Sequence, residues 1–251
     1  MEIYWLEQTE SDVPTGNGWL SAKETICLSA MRVAKRYADW RLGRWTAKRA
    51  VAVCRNLPAD LYSLAGIEIR AASSGAPEVF LQDQPANLAI SLSHRDRTAL
   101  CAVAPAGTNI GCDLETIEPR SEAFVADYFT ANEKTLIAQT PVEEQPLLVA
   151  LLWSGKESAL KALHVGLRLD TRCMSVSPAD AWPQTSGERA KDPRLFPRAF
   201  SPGDWRPLSV GYSGGQIFGG WWRAEDQLVR TAVSDAPMCA PVPARRAWVN
   251  E

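Results

Sequence analysis

The chain has 251 residues, 46% of them apolar, so it can bury the core of one large domain or of two smaller lobes. Its formal charge of −2 gives no overall reason to expect binding to nucleic acid or to a membrane. Six cysteines without a C-x-x-C pair, and an N-terminus without a basic start or an apolar signal core, predict reduced thiols and a cytoplasmic location without a membrane span.

The first half of the chain is predicted to contain helices followed by strands. A capping box at Ser21 and Glu24 opens a first helix, and a second helix is expected from about Trp45 to Asn56, before Pro58. Strands are then predicted at residues 64–71, 88–92 and 99–104.

The second half repeats this order. A strand is predicted at 109–115, a helix after the capping box of Thr130 and Glu133, and a long helix at 146–163. Four strands are expected at 167–176, 208–212, 216–222 and 228–233, with an irregular proline-rich excursion at 178–207. Each half also carries a W-x-x-K pattern, at Trp45 and at Trp153. We therefore expect an α+β fold of two similar lobes, residues 1–108 and 109–251, each with antiparallel strands on a long helix.

Charge is unevenly distributed along the chain. Residues 32–55 hold eight basic residues against one acid, and residues 113–144 hold eight acids against two bases. The densest basic part, residues 36–49, is called the basic stretch below. It is either a solvated helical face or an anion-binding site. As a binding site it suits a nucleotide phosphate better than a nucleic acid, because it lacks the repeated aromatic side chains on which bases stack.

A pair of carboxylates lies on the strand predicted at 109–115. The period of two in a strand sends Asp113 and Glu115 to one face while Cys112 and Leu114 face the core. The pair is either a solvent-facing polar edge or, together with Glu157, an all-oxygen ligand set of the kind that suits Mg²⁺.

The segment 153–161 sets a carboxylate beside an ammonium. Helical spacing places Trp153, Glu157 and Lys161 on one stripe, where they could serve chemistry on a polyphosphate. Two ordinary interpretations stay open: a capping box from Ser154 to Glu157, or a surface ion pair between Glu157 and Lys161.

Ser93 and His94 end the strand predicted at 88–92, where their donors could reach a phosphate, although a lone histidine is often structural. Neighbouring strand residues point apart, so a serine–histidine relay is not expected. A G-x-S-x-G match at 211–215 is interpreted as a hairpin turn, because both histidines precede its serine.

Taken in order, the basic stretch, S-L-S-H at 91–94, G-C-D-L-E at 111–115 and W-S-G-K-E-S-A-L-K at 153–161 resemble the 4'-phosphopantetheinyl transferases. The resemblance is to the long single-chain type, similar to the activator of surfactin synthetase. It implies two α+β lobes related by a pseudo-twofold axis, with coenzyme A between them. One departure is Ala76, where the family often has a lysine that touches the nucleotide; either a nearby arginine compensates or coenzyme A binds more weakly.

The same resemblance assigns roles to individual residues. Mg²⁺ would be held by Asp113, Glu115 and Glu157, and Asp113, Glu157 and Lys161 would be catalytic. Coenzyme A would be contacted by residues from both halves of the chain: Arg36, Arg44, Ser93, His94, Lys156 and Lys161. The implied reaction is Mg²⁺-dependent transfer of 4'-phosphopantetheine to a serine of an apo acyl or peptidyl carrier protein by a monomer. A non-catalytic carrier-binding or nucleotide-binding module and a Mg²⁺-dependent hydrolase of nucleotide pyrophosphates are the alternatives.

Overall fold

The computed structural model of the protein describes residues 1–58, 60–178 and 204–244. These residues form a mixed α+β fold, as predicted, with six α-helices. The helices, in chain order, are α1 Ala22–Ser29, α2 Ala34–Cys54, α3 Leu61–Ala65, α4 Glu122–Tyr128, α5 Ala131–Gln139 and α6 Gln145–Ala162.

Twelve strands in the described residues form three sheets, in which almost all pairings are antiparallel. The strands are β1 Tyr4–Thr9, β2 Ile67–Ala71, β3 Pro77–Leu81, β4 Gln84–Pro85, β5 Leu88–Arg95, β6 Thr98–Pro105, β7 Ile110–Thr116, β8 Met174–Pro178, β9 Arg206–Tyr212, β10 Ile217–Glu225, β11 Leu228–Ser234 and β12 Val242–Pro243. The first sheet has the order β12-β1-β6-β5, the second has β7-β11-β10-β9-β8, and a small third sheet has β2-β3-β4.

The two larger sheets pack face to face, with one long helix outside each. Alternate residues of β6 face opposite ways: Cys101 and Val103 pack towards α2, whereas Leu100 and Ala102 join a second core. That second core also takes Cys112 and the other apolar residues of β7, so it lies between the sheets. The opposite face of β7 is packed against α6, which places the odd-numbered residues of β7 beside that helix.

The predicted helices of the first half are present with different limits. Before α1, the Ser21 hydroxyl accepts a hydrogen bond from the Glu24 N–H and the Glu24 carboxylate accepts one from the Ser21 N–H, which confirms the capping box. Helix α2 begins at Ala34 rather than near Trp45, so the basic stretch is helical throughout. Helix α3 occupies the start of the strand predicted at 64–71, which begins only at β2.

In the second half, α6 runs without a break through Ser154, so a helix start there is wrong. The Ser154 hydroxyl instead shares a hydrogen bond with the hydroxyl of Thr231 on β11, at 2.8 Å. The strand predicted at 167–176 is also largely wrong: two short 3₁₀ turns precede β8, and the Asp170 carboxylate caps the second by accepting from the Arg172 N–H. Most of the predicted excursion at 178–207 lies outside the described residues.

Each half buries the lysine of its W-x-x-K pattern against the glutamate of its capping box. Lys48 Nζ lies 2.5 Å from Glu24, and Lys156 Nζ lies 2.8 Å from Glu133. Each lysine also donates to two backbone carbonyl oxygens, and each glutamate accepts from a backbone N–H of a strand in its own half, Ile69 in the first. These equivalent contacts agree with the predicted repeat, while a pseudo-twofold relation between the halves stays a prediction.

The two halves are joined by more than the chain connection. Strand β12 pairs in parallel with β1, so the end of the described chain adds to the first sheet. Arg230 on β11 donates to both carboxylate oxygens of Glu7 on β1, at 2.5 and 2.6 Å, and is 3% exposed. All six cysteines are described and unpaired. Within the described ranges, no helix has the length and apolarity that crossing a bilayer would require.

Candidate active site

Strand β7 and helix α6 approach closely enough to bring their functional side chains together. Gly111 makes this possible, because a Cβ there would overlap the Ser158 carbonyl oxygen and lie 2.9 Å from the Ala162 nitrogen. Two residues further along β7, Asp113 points to the same face and meets Lys161 of α6. The contact between the carboxylate and the ammonium is therefore set by backbone packing.

Asp113 is at the centre of this group and is 4% exposed. Its Oδ1 accepts from Lys161 Nζ at 2.7 Å and from the Ser93 hydroxyl at 2.8 Å. Its Oδ2 is also buried but has no hydrogen-bond partner among the described residues. A buried carboxylate oxygen left without a donor is costly unless a ligand occupies it.

Lys161 holds this arrangement from the helix side. Its ammonium donates to Asp113 and, at 3.1 Å, to the carbonyl oxygen of Cys112, which leaves one of its three N–H groups for a ligand. Burial acts to lower the pKa of Lys161, but the charge and hydrogen bond of Asp113, together with Cys112 and Glu157, outweigh it and the pKa is raised. Lys161 therefore stays protonated at neutral pH, and the predicted surface ion pair with Glu157 is replaced by an ion pair with Asp113.

Glu157 lies one turn before Lys161 on α6. Burial, with the nearby Asp113 and Glu115 carboxylates, raises its pKa from 4.5 to about 7, although Lys161 acts in the opposite direction. Its carboxylate makes no hydrogen bond or ion pair with the residues that the structure describes. Glu157 is thus a repelled carboxylate that a cation or a proton would stabilise.

Glu115, unlike Glu157, accepts hydrogen bonds from two neighbouring side chains. Its Oε1 accepts from the Trp153 indole N–H and its Oε2 from Arg120 Nη2, each at 3.1 Å. Arg95 Nε lies 3.7 Å from the same Oε2. Burial, followed by repulsion from Asp113, raises the pKa of Glu115, and the two guanidinium groups act against that rise.

These side chains line one open cavity of about 470 Å³. It has a polar wall of carboxylates, Ser93, His94 and three cationic side chains, and an aromatic wall in which Phe124 packs edge-on against Trp153 with ring centroids 5.1 Å apart. Its lining residues come from β5, β7, α4, α6 and their connections: Leu92, Ser93, His94, Arg95, Asp113, Leu114, Glu115, Arg120, Phe124, Trp153, Glu157 and Lys161. The structure thus brings together all three predicted metal ligands, Lys161, and Ser93 and His94 of the S-L-S-H motif.

The predicted helpers from the basic stretch lie elsewhere. Arg36 is exposed on α2, and neither it nor Arg44 belongs to the lining of this cavity as described. Arg44 packs over the Trp40 ring at 4.8 Å, and its Nε lies 3.8 Å from Glu24. The basic stretch does reach the cavity through Asp39, whose Oδ2 lies 3.6 Å from Nε2 of His94.

The structure corrects the prediction that Lys156 binds coenzyme A. Its side chain is fully buried, and its ammonium is occupied by Glu133 and by the carbonyl oxygens of Thr171 and Met174. Lys156 points to the other side of α6 from Lys161, because five residues in a helix turn the side chain by about 140°. Its role is to hold α6 to the capping box of α5.

Sequence reasoning missed Arg95 and Arg120. Both line the cavity, and Glu118 joins them by accepting from Arg95 Nη2 and pairing with Arg120 Nη1, each at 3.1 Å. The available signal was weak: each arginine follows shortly after a motif residue, His94 or Glu115. No pattern in the neighbouring sequence predicts that the two arginine side chains meet at one cavity.

The oxygen-rich lining is chemically suited to Mg²⁺, which prefers carboxylate and water ligands. Asp113 Oδ2 and the Glu157 carboxylate make no hydrogen bond to the described residues, whereas each oxygen of Glu115 accepts one. Within residues 1–58, 60–178 and 204–244 no three His, Cys, Asp or Glu side chains form a ready metal site. The donor types fit the ion, and a cation on Glu115 would face the Arg120 guanidinium.

Comparison with known families agrees with this geometry. Residues 109–201 match the family model of the 4'-phosphopantetheinyl transferase superfamily. The matched range of this transferase superfamily starts just before β7 and contains Asp113, Glu115, Glu157 and Lys161. No curated protein matches the chain.

Proposed function

We propose that the protein transfers the 4'-phosphopantetheine group of coenzyme A to a serine hydroxyl of an apo acyl or peptidyl carrier protein, as a monomer, and releases 3',5'-ADP. The observation that carries the proposal is Asp113: its Oδ1 is fixed by Lys161 and Ser93, while its buried Oδ2 is left without a partner in a cavity that Glu115 and Glu157 share. The superfamily match over residues 109–201, which contain the three carboxylates and Lys161, supports it.

In the proposed reaction, the serine oxygen attacks the β-phosphorus of coenzyme A. A phosphorus–oxygen bond to the serine forms, and the bond to the oxygen retained by 3',5'-ADP breaks. Mg²⁺, held by Asp113, Glu157 and a released Glu115, would neutralise the charge that builds up on the diphosphate. Lys161 directs its remaining N–H at a phosphate oxygen, and Asp113 keeps the ammonium in that orientation.

The serine proton needs an acceptor near the cavity. Glu157 suits this role because it lines the cavity beside the proposed metal site and makes no hydrogen bond to the described residues, so it can take the proton directly or through a bound water. Arg95, Arg120 and His94 supply further donors to phosphate oxygens on the polar wall. The pantetheine arm, which carries no charge, would lie along Phe124 and Trp153.

The test is intact mass spectrometry of several apo carrier proteins incubated with the protein, coenzyme A and Mg²⁺. We expect a gain of one phosphopantetheine on at least one carrier, and a loss of roughly a thousandfold in rate for Asp113→Ala, because electrostatic groups of this kind contribute on that scale. Asp127→Asn, an exposed acid on α4, is the matched control and should retain full activity.

Three results would count against the proposal. An Asp113→Ala protein with near-full activity would refute the metal assignment. Release of free phosphopantetheine without a carrier would favour a hydrolase of nucleotide pyrophosphates, and binding of carriers without any mass gain would favour a binding module.

A further inference from the structure

Glu115 is the one predicted metal ligand with both carboxylate oxygens held by described side chains, Trp153 on Oε1 and Arg120 on Oε2. Its side chain is 12% exposed and that of Arg120 is 22% exposed. An ion pair this shielded from water resists opening, since Glu115 would keep only the more distant Arg95, at 3.7 Å, and Arg120 only Glu118. A cation on this carboxylate would therefore lie beside the Arg120 guanidinium and be repelled by it.

Arg120 is built to hold this closed state. Its Nη2 donates to Glu115 while its Nη1 pairs with Glu118, so the planar guanidinium spans two carboxylates at once. The same guanidinium stacks over Phe124, with Cζ 5.3 Å from the ring centroid. Both of its neighbours, Glu115 and Phe124, line the cavity, so Arg120 faces the space where a ligand would enter.

The pair can open at low cost only if both charges are compensated together. A divalent cation alone would compensate Glu115 but would also face the Arg120 guanidinium across a short distance. An oxyanion alone would compensate Arg120 but would face Asp113, Glu115 and Glu157. A cation that arrives with an oxyanion supplies a partner to each side of the broken pair.

We infer that Arg120 is a positioning residue that holds Glu115 closed until a divalent cation and an oxyanion enter the cavity together, the cation taking the carboxylate and the oxyanion the guanidinium. The inference rests on the proposed function, in which Mg²⁺ and the diphosphate of coenzyme A are that cation and that oxyanion. It extends the proposed function by making Glu115 a ligand that is released on binding, and Arg120 the residue that releases it.

The first measurement is Mg²⁺ affinity by isothermal titration calorimetry, without coenzyme A. Arg120→Gln should bind Mg²⁺ about tenfold more tightly than the unaltered protein, because Glu115 no longer has to leave a cationic partner. Arg95→Gln removes the same charge from the same cavity but keeps the Arg120–Glu115 hydrogen bond, so its affinity should rise by no more than about threefold.

A third variant guards against misfolding. Arg120→Lys keeps the positive charge, but one ammonium cannot reproduce the planar bridge between Glu115 and Glu118. It should fold with an unchanged thermal midpoint and bind Mg²⁺ with an affinity between those of Arg120→Gln and the unaltered protein.

The second measurement follows Glu115 directly through its hydrogen bond to Trp153. The indole ¹⁵N–¹H signal of Trp153 can be identified among those of the ten tryptophans by its absence in Trp153→Phe. In the unaltered protein this signal should stay in place with Mg²⁺ alone and with inorganic pyrophosphate in EDTA, and should move when both are present; pyrophosphate has no pantetheine arm to contact Trp153. In Arg120→Gln it should move with Mg²⁺ alone.

The inference is overturned if Arg120→Gln and Arg95→Gln raise Mg²⁺ affinity equally, since only the summed charge would then matter. It is equally overturned if Mg²⁺ alone moves the Trp153 signal of the unaltered protein as far as it does in Arg120→Gln. These results are independent of the carrier assay: a protein that modifies no carrier but shows the predicted affinities would refute the proposed function and keep the role of Arg120.

Discussion

Glu157 has the least favourable surroundings of the carboxylates in the cavity. Burial, followed by repulsion from Asp113 and Glu115, raises its folded-state pKa from the usual 4.5 to about 7, and it receives no hydrogen bond from the described residues. A raised pKa means that the folded state binds the proton more tightly than the unfolded state. Stability contributed by this group is therefore complete below about pH 4.5 and is lost as the pH rises to about 7.

Replacing this carboxylate should therefore stabilise the metal-free protein at high pH only. In EDTA, the stability advantage of Glu157→Gln over the unaltered protein should grow as the pH rises. Measured as the free energy of unfolding, it should be larger at pH 8 than at pH 5 by about 1 to 3 kcal/mol, allowing for solvent screening. The measurement is urea unfolding at both pH values. Glu122→Gln, an exposed change on α4, is the control and should show no such difference. If Glu157→Gln stabilised the protein equally at pH 5 and at pH 8, the ionised carboxylate would not be the cause of the added stability.

The limits of sequence reasoning are clearest for the two lysines of α6. Lys156 and Lys161 are five residues apart on one helix, and no residue beside either of them tells which lysine is buried. Only tertiary packing sends Lys156 to a buried glutamate and Lys161 to the cavity. The meeting of Asp113 with Glu157 was likewise expected from a resemblance, because residues so far apart in sequence have no local signal of contact.

Among the secondary-structure elements, the sequence predicts correctly those features that depend only on neighbouring residues. The capping boxes at Ser21 and Thr130 satisfy their own helix starts, and both are present. Helix α2 has no side-chain cap at Val33, so no signal marked its start. The strand predicted at 167–176 failed because apolar residues in short 3₁₀ turns mimic a strand pattern.

The position of β7 on α6 depends on one residue without a side chain. A Cβ at Gly111 would overlap the Ser158 carbonyl oxygen and lie 2.7 Å from its carbonyl carbon, and backbone atoms cannot move aside as a side chain can. Gly111→Ala should therefore force β7 away from α6 and lower the free energy of unfolding by about 3 kcal/mol or more.

Gly219→Ala is the matched control on β10 of the same sheet, where a Cβ would meet nothing within 4 Å. It should change the free energy of unfolding by less than about 0.5 kcal/mol. Thermal and urea unfolding of both variants, with the Mg²⁺ affinity of the folded fraction, check the prediction. Equal stability of the two variants would mean that β7 and α6 can separate without cost.

At the scale of the whole molecule, the two halves share a core. Ile3 and Leu100 of the first half pack with Ile110 and Leu228 of the second, and the Glu7–Arg230 pair closes one side of this interface. A large apolar interface without a flexible boundary favours cooperative unfolding. The division expected at residue 108 stays a prediction, and residues from both sides of it line the cavity.

The buried Lys48–Glu24 and Lys156–Glu133 pairs provide a test of this cooperativity, one in each half. Lys156→Met keeps the apolar stem but leaves Glu133 buried without its charge partner, which should cost about 3 to 5 kcal/mol. Lys48→Met should cost less, because Arg44 Nε still lies 3.8 Å from Glu24. Because the halves share a core, either change should shift one common transition in calorimetry. Lys35→Met is the control: its pair with Asp39 is on the surface, so its loss should cost less than about 1 kcal/mol. Two separate transitions, with only one moved by each variant, would show that the halves unfold independently and that the shared core is too weak to couple them.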